Sequence, residues 1–84
     1  MNSNLHLIVR NRDGIIFEED IKSLSSKNKI GKFDVLDNHE NFISIISDIL
    51  VVETASGAKK EIPITNSILK VKENKVEVYA GVKK

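Results

Sequence analysis

Apolar side chains recur at every second position through most of this chain, and that period allows strands but hardly any helix. The final segment shows it best. Leu69 and Val71 alternate with Lys70 and Lys72, Glu73-Asn74 turns the chain, and Val76 and Val78 then alternate with Lys75, Glu77 and Tyr79. One face of that hairpin is apolar and the other is charged, so it must lie against a core. The charges facing each other across it are worth only about 0.2–1 kcal/mol per pair. They set register and solubility.

The same alternation predicts strands elsewhere. Leu5, Leu7 and Val9 share one face, with His6 and Arg10 opposite, and Asn11 to Gly14 is a turn signal. A strand follows through Ile15 to Phe17, bends at Glu18-Glu19-Asp20, and resumes along Ile21 to Ser25. Ser26 to Lys29 reads as a loop. Phe42 to Ile46 is rich in β-branched residues and reads as a strand that Ser47-Asp48 ends. A helix over Glu40 to Leu50 is disfavoured on the same ground. Ile49 to Glu53 and Lys60 to Thr65 flank a hairpin loop at Ala55 to Ala58, and Pro63 predicts an edge position or an amide outside the ladder. Short strands at this spacing predict an all-β fold, a small β-sandwich or flattened barrel of about eight to ten short, mostly antiparallel strands. Residues 1–84 read as one domain, with no internal repeat or linker.

Composition narrows the function classes. Thirteen basic and twelve acidic residues give a net charge of +1, which supplies no electrostatic footprint for nucleic acid. The pairs Lys59-Lys60 and Lys83-Lys84 read as a solvated turn and tail. There is no cysteine, so disulfides, thiol chemistry and cysteine-bound metal centres are excluded. Met1 to Asn4 does not begin a secretory signal, and runs such as Ile49 to Val52 are far too short to insert directly into a membrane.

The search for catalytic groups finds no set that converges. His6 and His39 are the two histidines and lie far apart; neither belongs to a ligand-spaced motif. His6 reads as a solvent-facing strand residue and His39 as a turn residue. No serine lies in a nucleophile elbow. Glu18 to Asp20 lacks the remaining ligands of a calcium loop and reads as a solvated bend. Gly57 to Lys60 lacks the spacing of a phosphate loop. No cofactor is expected, and enzyme activity is not expected either. A β-barrel binding module for nucleic acid or peptide is the alternative reading. It would need aromatic platforms and a basic groove, whereas Phe17, Phe33, Phe42 and Tyr79 sit mostly at core-facing positions.

The segment Gly31 to His39 carries a resemblance. Gly31, Phe33, Val35, Leu36 and His39 match a Gly-x-hydrophobic-Gly-hydrophobic-x-Pro-Gly-His pattern. Asp34, Asp37 and Asn38 replace the second glycine, the proline and the third glycine, and Asp and Asn tolerate turn conformations. That pattern, the opening strand with its Asp13-Gly14 turn, the Phe42 to Ile46 strand and the closing hairpin together resemble the N-terminal β-sandwich domain of the F-type ATP synthase epsilon subunit, the counterpart of mitochondrial delta. Asn66-Ser67 stands where that family usually has a glycine pair, and Ser47-Asp48 stands near its common Pro-Gly.

The resemblance implies a non-catalytic rotor subunit that binds the foot of gamma and rests on the c-ring of a proton- or sodium-driven synthase. It implies a peripheral position at the cytoplasmic face of a bacterial membrane. It also implies that Gly31, Lys32, Phe33, Asn38 and His39 form the docking surface at the c-ring end, with Phe33 and Val35 alternatively acting as core anchors. Family members continue into a C-terminal helical hairpin that restrains ATP hydrolysis. The expectation here is a short member or an isolated domain without that brake.

Overall fold

A computed structural model describes residues 5–36 and 41–81. The described residues form six strands: β1 (Leu5–Asn11), β2 (Gly14–Lys27), β3 (Lys32–Leu36), β4 (Phe42–Thr54), β5 (Lys59–Lys72) and β6 (Lys75–Tyr79). They form one sheet in the order β1-β6-β5-β4-β2-β3, and β1 also pairs with β2. That extra pairing closes five strands into a flattened barrel. β3 lies outside the ring, paired to β2 with Leu24 opposite Val35. Every ladder is antiparallel except β1–β6, where Leu7 pairs with Val76 and Val9 with Val78.

The all-β expectation holds, but the strands are fewer and longer than the eight to ten predicted. Glu18 to Asp20 is no bend. Those residues continue β2, pairing with Ile8, Leu7 and His6. Ser47-Asp48 does not end β4, and Lys60 to Thr65 runs on into the closing hairpin as one β5. Bulges replace the expected breaks. Ile21 and Ser23 on β2 face adjacent residues, Thr54 and Glu53, on β4, so Lys22 is the extra residue. On β5, three steps from Ser67 to Ile64 match two from Ile46 to Asp48 on β4. Asp48 takes a positive φ of 82° there. A bulge keeps the ladder while shifting which side chains point inward. The inward set of β2 therefore passes from Ile21 to Leu24, and that of β5 from Ile64 to Ser67, Leu69 and Val71.

Among the described residues thirteen apolar side chains are buried in the core, with every strand contributing. Leu5, Leu7 and Val9 meet Val76 and Val78 across the parallel ladder, and Leu24, Val35 and Val52 come together where β2, β3 and β4 adjoin. Each such side chain contributes about 1.5–3 kcal/mol on leaving water. The three buried polar residues among the described ones are hydrogen-bonded. Ser26 Oγ donates to Ile49 O at 3.1 Å, Ser67 Oγ to Thr65 O at 2.8 Å, and Thr54 Oγ1 accepts from Ala58 N at 3.2 Å. Ser67 thus closes the β5 bulge with its own hydroxyl. Pro63 falls where expected. It pairs with Ile49 on β4, while β6 covers β5 only from Ile68 to Lys72, leaving the proline side without a strand partner among the described residues.

Candidate docking site at the β2–β3 turn

The segment expected to be a docking loop begins as a tight turn and continues as strand β3. Asn28 builds the turn. Its backbone exchanges hydrogen bonds with Gly31 at 3.0 and 3.1 Å. Its side-chain Oδ1 accepts from Ile30 N at 2.9 Å and Gly31 N at 3.2 Å, and its Nδ2 donates to Ser44 Oγ on β4 at 3.2 Å. Gly31 has φ 143°, which L side chains rarely adopt. One side chain therefore organises the turn and ties it to the barrel.

The expected site residues separate once placed. Gly31 is half-buried and Lys32 is exposed, and Lys32 sits opposite Lys27 in the β2–β3 register. Phe33 turns inward instead. It packs against the core and meets Phe42 edge-to-face, with ring centroids 5.5 Å apart at 60°. Val35 is fully buried. Phe33 and Val35 are thus the core anchors of this segment. Asn38 and His39 lie outside the described residues.

Ile30 was missed by the sequence reading. It stands at the tip of the turn and is 96% exposed. Its signal in the sequence was an isolated β-branched residue among Lys27, Lys29 and Lys32. Lys27 pairs with Asp48 at 2.9 Å, and Asp34 accepts from Ser25 Oγ at 2.6 Å. Lys29 and Lys32 form no ion pair with any described residue. Farther along the outer face, exposed Ile43 and Ile45 lie on β4, and Ile45 aligns with Ile68 and Tyr79 across β5 and β6. Arg10 stacks over the Tyr79 ring at 5.6 Å.

The histidine among the described residues sits elsewhere. His6 on β1 lies between Asp20 and Glu18 of β2, and the hydrogen bond to Asp20, followed by that to Glu18, raises its pKa above the usual value. Among the described residues no group of three or more His, Cys, Asp or Glu side chains is arranged to hold a metal ion. Among the described residues no helix is long and apolar enough to cross a membrane. What the surface offers is a stapled turn with lysines and an apolar stripe, which suit contact better than chemistry.

A closed β-barrel sandwich with an edge strand of this kind is a known architecture. In the cryo-EM structure of the Euglena gracilis mitochondrial ATP synthase (OSCP/F1/c-ring, rotational state 1), one chain matches with a TM-score of 0.87 at 22% identity, covering 95% of this chain and 52% of that one. A chain in the central stalk/c-ring structure of the Tetrahymena thermophila mitochondrial ATP synthase matches with a TM-score of 0.79 at 12% identity, over 93% of this chain and 63% of that one. At those identities the likeness is one of fold. The family model for the ATP synthase delta/epsilon chain beta-sandwich domain matches residues 4–82, and the chain belongs to that family. Curated relatives include the ATP synthase epsilon chain of Sulfurovum sp. (strain NBC37-1), 31% identical over 75% of this chain and 50% of its own, and that of Clostridium botulinum (strain Eklund 17B / Type B), 29% identical over 90% of this chain and 56% of its own. The chain therefore spans about half the length of these relatives.

Proposed function

We propose that this chain is a non-catalytic central-stalk subunit of an F-type ATP synthase, joining gamma to the c-ring so that ion-driven rotation couples to ATP synthesis. The observation that carries the reading is the beta-sandwich family match across residues 4–82. The architecture agrees with the task. A rotor part transmits torque through rigid, complementary contacts, and a closed barrel with a continuous core resists deformation. No reactive group is required of it.

The β2–β3 turn, with Gly31 and Lys32, faces the c-ring in this reading, and Asn38 and His39 are assigned to the same docking role. Phe33 supports it from beneath. The outer surface offered to gamma is the cross-strand row Ile45, Ile68 and Tyr79 together with Ile43 farther along β4, because apolar side chains gathered on one outer face suit a protein partner. The position is peripheral, at the cytoplasmic face of the membrane and held there through the complex. Co-elution of the chain with a purified gamma–c-ring subcomplex is the expected result in size-exclusion chromatography. Failure to associate at micromolar concentrations would overturn the assignment.

A further inference from the structure

We infer that the Asn28-stapled turn is a preformed anchor for a protein surface carrying a small apolar socket edged by carboxylates. Ile30 enters the socket, and Lys29 and Lys32 pair with its rim. An isoleucine exposed at 96% in a loose loop would be unremarkable among surface residues. Here it is held in place. Its own amide donates to Asn28 Oδ1 at 2.9 Å, and the same side chain reaches Ser44 on β4. Ordering cost is thus already met before a partner arrives, which is what lets a single apolar side chain contribute strongly to binding.

Charge specifies the partner. Lys27 pairs with Asp48, Asp34 accepts a hydrogen bond from Ser25, and neither acid forms an ion pair with Lys29 or Lys32. Two cations without partners among the described residues therefore flank the exposed isoleucine, and they call for carboxylates opposite. The turn is also continuous with further apolar surface. A shallow cavity of about 290 Å³ is lined by Asn28, Lys29, Ile30, Ser44 and Ile45. A lipid surface fits less well, because headgroup binding typically draws on a cluster of about four to eight basic residues. The turn brings three, one of them already paired, with a single apolar side chain at its tip.

The choice of test partner rests on the stalk reading above. The experiment measures affinity of the chain for the purified gamma–c-ring subcomplex by fluorescence titration at low and high salt. Ile30→Ser is expected to weaken binding about tenfold. The double variant Lys29→Glu/Lys32→Glu is expected to weaken it comparably and to flatten its salt dependence. Lys59→Glu, at the other end of β4 and β5, leaves affinity unchanged, and matching circular dichroism melts exclude misfolding. Tight binding that neither turn variant alters would overturn this inference while leaving the stalk assignment standing. No binding by the unsubstituted chain would overturn both. A parallel titration uses vesicles of equimolar phosphatidylglycerol and phosphatidylcholine. Vesicle binding lost in the turn variants, with subcomplex binding unaffected, would replace the protein socket with a lipid surface.

Discussion

Nε2 of His6 lies 2.7 Å from Oε2 of Glu18, diagonally across the β1–β2 ladder, while its Nδ1 lies 2.8 Å from Oδ1 of Asp20. A protonated imidazole donates to both carboxylates at once, and this links the first two strands at the outer surface. Lys75 on β6 stands beside His6 in the parallel register.

That arrangement gives stability a pH dependence of definite sign. The folded-state pKa of His6 is raised, by Asp20 first and Glu18 second, above the value of 6.5. Its contribution is therefore fully present below about pH 6.5 and is lost as pH rises through the folded pKa. His6, Glu18 and Asp20 side chains are 38%, 42% and 63% exposed, so screening limits the effect. The expected magnitude is on the order of 1 kcal/mol or less. Urea titrations between about pH 6 and pH 9 should show the unsubstituted chain losing this increment while His6→Gln does not. Parallel curves for the two proteins would show that the carboxylate clamp contributes nothing.

Gly31→Ala isolates a backbone effect from a contact effect. A Cβ built at Gly31 meets nothing within 4 Å, so there is no clash, and the cost comes from the φ of 143°. Destabilisation of about 1–3 kcal/mol is expected in chemical denaturation. An unchanged midpoint would mean that the turn relaxes freely, and the preformed shape of its tip would then be in question.

The β5–β6 turn should accept improvement. Glu73 and Asn74 both have positive φ, 51° and 63°, the pattern of a hairpin turn that favours Asn-Gly. Glu73 has a poor residue type for that conformation, while Asn74 is suitable. Glu73→Asn is expected to raise stability by about 0.5–1 kcal/mol, visible as a higher melting temperature. A lower melting temperature would reveal a role for the Glu73 carboxylate.

Leu24 occupies the place where three strands meet, paired with Val35 on one side and Val52 on the other, with no exposed surface. Leu24→Ala should cost about 2–5 kcal/mol. For a domain of this size, total stability is on the order of 5–10 kcal/mol, so the variant sits close to unfolding at room temperature. Phe33→Leu, by contrast, keeps most of the contact with Phe42 and should lose much less. Equal losses would place the weight of β3 on Phe33 rather than on the Leu24–Val35 contact.

Much of this was legible along the chain. The inward faces of β1 and β6 follow directly from their alternation, the Asp13-Gly14 and Glu73-Asn74 turns from their residue types, and the local edge at Pro63 from its missing amide. The bend placed at Glu18–Asp20 and the strand end placed at Ser47-Asp48 were not correct, because polar residues within a strand look the same as a break when no partner is visible. β3 was hidden for a related reason. Its five residues were assigned to no strand, and only pairing with β2 gives them a ladder. Of the site, Lys32 was legible as a surface position and Gly31 as a turn position, while Phe33 required the contact with Phe42 to show which way it points.

Sequence alone determined the all-β class, the faces of the regular strands and the family likeness, since alternation and turn propensity are local properties. Tertiary structure decided the bulges, the closure of the barrel through the parallel β1–β6 ladder, and the hold of Asn28 on Ser44 that fixes Ile30 outward. Those features depend on which distant segments pair and in what register. A period of two specifies that a strand has an inside, but the partner strand selects the residue at which inside and outside exchange.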